Sequence, residues 1–82
     1  MSSDDAINWL AAPMAALRAM PCRQAARVDA AVIRFAETGR GWVERVTGDR
    51  RGLRLLVPPY AVRLEIDMET GHITVLSVFR RG

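Results

Sequence analysis

Lysine is absent from this 82-residue chain, and all twelve basic residues are arginine. Arginine presents a planar fork that matches phosphate and carboxylate bidentately, which lysine does not. Such usage suits an anion-binding surface; it also follows from a compositional bias of the source genome, the plainer of the two readings. Cysteine and histidine are nearly absent, with one of each. A lone Cys22 excludes an internal disulfide and points to a reducing, cytoplasmic setting. It follows Pro21 at a helix start, but no His or Asp pattern accompanies it, so packing or indifference is the reading. With His72 far away in sequence, the three or four ligands of a zinc site are not available. Neither metal nor cofactor is expected, and the acids Asp67 and Glu69 near His72 read as solvated turn residues.

Long hydrophobic runs are also missing. None approaches the ~20 residues that span a bilayer, and the amino end lacks the basic region and apolar stretch of a signal peptide. No membrane association is expected. The glycines at 39–41 and 48–52 lack the strand and helix context of a phosphate-binding loop, and there is no internal repeat or low-complexity tract. What remains is one domain over residues 1–82, half hydrophobic and 26% charged, with a modest core, since a chain this short buries only roughly 60% of its unfolded surface.

The net charge of +3 is unevenly placed. Residues 1–17 carry only Asp4 and Asp5. Residues 18–54 hold nine of the twelve arginines against Asp29, Glu37, Glu44 and Asp49, and the remainder balances three against three. The middle third therefore suggests a polyanion or an acidic partner.

Ile7, Leu10, Met14 and Leu17 follow helical spacing, with Ser2 or Ser3 as the cap. Pro13 interrupts that pattern, and a new helix starting at Pro13 is the favoured solution. A second helix is predicted over 22–37, entered through Pro21 and stopped by Gly39. Its buried side is Ala25, Val28, Val32 and Phe35. Arg23, Arg27 and Arg34 line the opposite side, either as a binding stripe for phosphates or an acidic partner, or as a solvated face. The loose stretch from 39 to 52 is expected to be anchored by Trp42, Val43 and Val46.

From Leu53 to Arg81 the apolar residues alternate with a period of two, the mark of strands. Turns at Pro58-Pro59 and at 68–71 set Leu55 opposite Val62, Leu53 opposite Leu64, Ile66 opposite Ile73, Leu64 opposite Val75 and Val62 opposite Ser77. Both turns bury the same face, and a one-residue slip would expose it. The last strand is apolar on both sides, with Val75 and Phe79 on one and Leu76 and Val78 on the other. Its outer edge has no visible partner, so these four residues are expected to pair with a partner's strand or a second copy, giving a homodimer. Trp42, Tyr60 and Phe79 could stack bases, although this register buries Tyr60 and Phe79.

Two helices, then Val46-Thr47-Gly48, Gly52-Leu53-Arg54-Leu55-Leu56-Val57, Tyr60-Ala61-Val62 and Leu76-Ser77-Val78-Phe79-Arg80-Arg81 together resemble the RelE/ParE superfamily of bacterial toxin–antitoxin toxins, over residues 25–81. The resemblance implies an α+β fold, with two N-terminal helices packed on a three-stranded antiparallel meander. It implies action on ribosome-bound messenger RNA or on DNA gyrase, a role in plasmid stabilization systems, and a cognate antitoxin that wraps the domain with a helix or strand. Carried over residue by residue, it makes Arg54 and Arg81 catalytic candidates, with Arg63 on the neighbouring strand. A guanidinium there would stabilise the phosphorane formed as a 2′-hydroxyl attacks phosphorus. Arg80 joins Arg23, Arg27 and Arg34 as a binding candidate.

The sequence departs from the family in four places. Tyr60-Ala61 replaces a Tyr-Arg pair, Leu56 takes a basic position, and the chain stops at Gly82 before the segment that often supplies a Tyr or His. The family's N-terminal strand is not visible, since residues 1–12 read as helical or irregular. Three functions are thus open: a toxin-like protein acting on translation or replication, a ribosome-dependent endoribonuclease, and a non-catalytic interaction domain that dimerises.

Overall fold

The computed structural model describes residues 7–48 and 52–81. In chain order the elements are β1 (Ile7–Trp9), α1 (Ala11–Arg18), α2 (Cys22–Thr38), β2 (Val43–Arg45), β3 (Gly52–Val57), β4 (Tyr60–Ile66) and β5 (Ile73–Arg80). The strands form one sheet in the order β1-β5-β4-β3-β2, antiparallel except that β1 runs parallel to β5. The expected meander is therefore the centre of a five-stranded mixed sheet rather than the whole of it.

Helix α2 follows from local chemistry. Pro21 precedes its first turn, where a missing N–H costs nothing, and the Ala25 N–H donates to the Pro21 carbonyl at 2.9 Å. Gly39 ends it in the left-handed region with φ 70°, donating its N–H to the Phe35 carbonyl at 2.8 Å. Glycine takes that conformation without a Cβ penalty. Val28, Val32 and Phe35 are buried, as the helical spacing predicts. Helix α1 differs from expectation in its start, which is Ala11 rather than Pro13. Pro13 falls in the first turn, where N–H groups have no intrahelical acceptor, so the helix tolerates it. The cap at Ser2 or Ser3 lies outside the described residues.

The N-terminal strand, read as missing, is present. Ile7, Asn8 and Trp9 pair with Ile73, Thr74 and Val75, and the Leu10 N–H donates to the Val75 carbonyl at 3.3 Å. Ile7 and Leu10 thus do not share a helical face with Met14 and Leu17; Leu10 is 40% exposed. Two expectations change with this. The outer edge of β5 is not bare at residues 73–75, and Val75 is buried inside the sheet rather than offered to another chain. Leu76 and Val78 are half-buried, and α1 packs against β5.

The two hairpins meet their expected registers at Leu55–Val62, Leu53–Leu64, Leu64–Val75 and Ile66–Ile73. The β4–β5 turn is held by Asp67. Its N–H donates to the His72 carbonyl at 2.9 Å, and its Oδ1 accepts the Glu69 N–H at 2.9 Å. Gly71 sits at φ 77° with open space around it. Gly71→Ala should therefore cost about 1–2 kcal/mol from backbone strain alone, seen as a lower urea midpoint with an unchanged slope.

One register fails. Arg63 pairs with Ser77 but Leu64 with Val75, which leaves Leu76 as an extra residue in β5. Beyond this bulge Val62 lies opposite Val78, not Ser77. A bulge shifts the alternation by one, so Val78 turns to the core and Phe79 away from it. Every row of the helix-facing side is then apolar near its centre. Val28, Val32 and Phe35 meet Leu55, Val57, Val62, Leu64, Ile73 and Val75, with Val43 and Val78 packed at the margin. Trp42, expected to anchor the loop, is instead 64% exposed.

Candidate functional site

With α1 against β5 and α2 against β3, the opposite face of the sheet carries no helix among the described residues. Strand pairing organises that face into adjoining rows. Glu44, Arg54, Arg63 and Ser77 follow one another across β2, β3, β4 and β5. The next row holds Leu56, Ala61 and Phe79, extended by Trp42, whose carbonyl accepts the Leu56 N–H at 2.8 Å. A basic row thus lies directly beside an apolar and aromatic one. Ala61 is fully buried yet outside the main core cluster, covered within this second row.

The three catalytic candidates come together here. Arg54 and Arg63 are directly opposite on adjacent strands. Arg81 follows the end of β5 and is tied down by its N–H to the Pro59 carbonyl at 2.6 Å. Its Nη1 donates to Glu44 Oε1 at 2.9 Å, and Glu44 is the cross-strand neighbour of Arg54. The Arg54 Nε is buried and has no hydrogen-bond partner among the described residues. Arg54 and Arg63 thus set like charges across two neighbouring strands, an arrangement that costs a sheet stability unless other groups offset it.

Beside the cluster is an open cavity of about 310 Å³. Trp42, Leu56, Pro58 and Pro59 contribute apolar walls, and Glu44 and Arg81 the polar ones. Tyr60 reaches its rim and donates its hydroxyl to Gln24 Oε1 of α2. Phe79, which alternation without a bulge buries, is 40% exposed on this face.

The other candidates lie elsewhere. Arg23, Arg27 and Arg34 are exposed on α2, on the helical side of the sheet, and Arg27 Nη2 donates to the Pro58 carbonyl at 3.3 Å. Arg80 is exposed opposite Tyr60, in the helix-facing row rather than with Arg81. The candidate arginines therefore fall on two surfaces, not one. Sequence reasoning missed Glu44, whose only signal was alternation with Val43 in a stretch too short to show a period. Cys22 and His72 are exposed and remote from the cluster in the chain, and no helix among the described residues is long and apolar enough to cross a membrane.

The architecture is an α+β domain whose mixed sheet is covered on one side and open on the other. Among solved structures it is similar to a chain of the RelB–RelE antitoxin–toxin complex from Methanococcus jannaschii, with a TM-score of 0.72 over 89% of this chain and 88% of that one. The two sequences are 13% identical, so the likeness is one of fold: this chain has a fold found in a toxin–antitoxin assembly. No protein-family model matches the sequence, and no curated protein matches it.

Proposed function

We propose that this chain is a RelE/ParE-like toxin component, held in check by a cognate antitoxin, and that its open sheet face engages single-stranded RNA during translation. The observation that carries the reading is the apposition of Arg54 and Arg63, with Arg81 one row neighbour away, next to exposed Trp42 and Phe79. Phosphates accept bidentate hydrogen bonds from guanidinium groups, and unstacked bases lie on aromatic faces. The self-contained core of α2 and the sheet favours the globular partner of such a pair over the wrapping one.

In the cleavage chemistry this site supports, the 2′-hydroxyl oxygen bonds to the adjacent phosphorus and the 5′-oxygen departs. Arg54 and Arg81 stabilise the charge that grows on the phosphorane. In this reading Glu44, hydrogen-bonded to Arg81, takes the hydroxyl proton, and solvent water protonates the departing 5′-oxygen. Action on DNA gyrase would use the same fold without this chemistry.

Induced expression in a bacterial host should halt growth, and purified chain with programmed ribosomes should cut the messenger. Growth arrest with intact messenger and inhibited DNA supercoiling would point to gyrase; harmless expression would leave an interaction domain. Phe79→Ala should weaken oligoribonucleotide binding by about tenfold, one stacked base being worth about 1–3 kcal/mol, while the thermal midpoint stays close to that of the parent.

A further inference from the structure

Glu44 stands among cations. Its cross-strand neighbour is Arg54, and its Oε1 accepts a hydrogen bond from Arg81 Nη1 at 2.9 Å. Among the described residues, Glu44 and Arg81 are the only charged groups lining the open cavity of about 310 Å³. Their pairing is loose. One hydrogen bond joins them, although a guanidinium facing an oxyanion can offer two in parallel. Both side chains are about half-exposed, at 50% for Arg81 and 43% for Glu44, and exposed ion pairs hold weakly. The Arg81 backbone is fixed separately, by its N–H to the Pro59 carbonyl at 2.6 Å. Opening the pair therefore moves two side chains and leaves the end of β5 in place.

We propose that the Arg81–Glu44 pair is an autoinhibitory latch that a phosphate opens. In the free chain the carboxylate fills the anion position on Arg81 and neutralises it. A phosphate arriving there makes the two-point contact that Glu44 does not, takes over the guanidinium and displaces the carboxylate. The inference rests on the reading of the open face as an RNA site and deepens it by giving the order of events. Before phosphate is seated, Glu44 is engaged and Arg81 is neutralised. Afterwards Arg81 carries the phosphate, and Glu44 is released beside it to take the proton of the neighbouring 2′-hydroxyl. A merely structural pair predicts the opposite for binding, because loss of Glu44 would then loosen Arg81 and weaken the site.

The test uses the full chain and a fluorescent oligodeoxyribonucleotide of about six nucleotides. It has phosphates but no 2′-hydroxyl, so anisotropy reads binding without cleavage. Glu44→Gln keeps the side-chain shape and removes the charge; it should tighten binding about two- to fivefold, the range an exposed ion pair is worth. Glu37→Gln removes the same charge from an exposed position on α2 and should leave binding where it is. A double-mutant cycle isolates the pair. In an Arg81→Ala background, Glu44→Gln should no longer tighten binding, because no latch remains to be opened. Equal tightening with and without Arg81 would mean that Glu44 acts through its charge alone, and overturns the proposal. Unchanged or weaker binding by Glu44→Gln overturns it too. Cleavage of messenger on programmed ribosomes is read separately. Parental cleavage with binding indifferent to Glu44→Gln removes the latch and keeps the RNA reading. Tighter binding with cleavage retained in Glu44→Gln keeps the latch and removes Glu44 as the base. No binding by the parent chain removes both.

Discussion

On the proposed function, replacing Arg54 and Arg81 together by alanine is expected to abolish messenger cleavage. Removing one preorganised donor to a developing oxyanion typically costs about 10²–10³ in rate, and the two guanidinium groups approach the same face from β3 and from the end of β5. Loss of the pair should therefore take single-turnover cleavage below detection. Stability should move differently. Arg54 carries a buried Nε without a partner and faces Arg63. An unsatisfied buried polar group costs about 1–3 kcal/mol, and like-charge apposition adds to it. Arg54→Met keeps the aliphatic stem and removes the unsatisfied Nε, so it should raise the denaturation midpoint while cleavage disappears. Activity lost together with stability would mean that Arg54 is a structural residue and that the site lies elsewhere. Retained cleavage in the double variant would falsify the assignment outright.

The largest effect on folding is expected at Leu64. It is fully buried in β4, the middle strand of the sheet, between Leu53 and Val75. Leu64→Ala removes three carbons from the core cluster that also holds Val28 and Val32, and such truncations cost about 2–5 kcal/mol depending on how far the cavity collapses. A domain of this size has about 5–15 kcal/mol in total, so the variant should lose a substantial fraction of its stability in urea titration. Met68→Ala, at a turn position 84% exposed, should fall within about 0.5 kcal/mol of the parent. If the two variants unfolded at the same urea concentration, the packing of α2 on the sheet described above would be wrong.

The positions of the catalytic candidates show how far alternation carries. Arg54 and Arg63 could be placed opposite each other because Leu53–Leu64 and Leu55–Val62 bracket them, and a two-residue period leaves no choice for what lies between. Strict alternation puts Phe79 on the wrong face for the same reason. Strict alternation runs straight through Leu76, and nothing local marks the extra residue that re-aims the strand. The bulge is visible only as a change of partner, from Val75 opposite Leu64 to Ser77 opposite Arg63.

By itself the sequence determined α2 with its Pro21 entry and Gly39 stop, both hairpin turns, and the apolar rows that meet across β3, β4 and β5. These depend on spacings of two to four residues and on residue-specific backbone geometry, which act over short stretches of chain. Tertiary structure decided the rest. Strand β1 has three residues, too few for any period to show, and it becomes a strand only because β5, from the far end of the chain, offers a parallel edge. The burial of Val75, the exposure of Trp42 and the separation of the arginines onto two sides of the sheet follow from which surfaces the helices cover, a matter of long-range packing that no short stretch encodes.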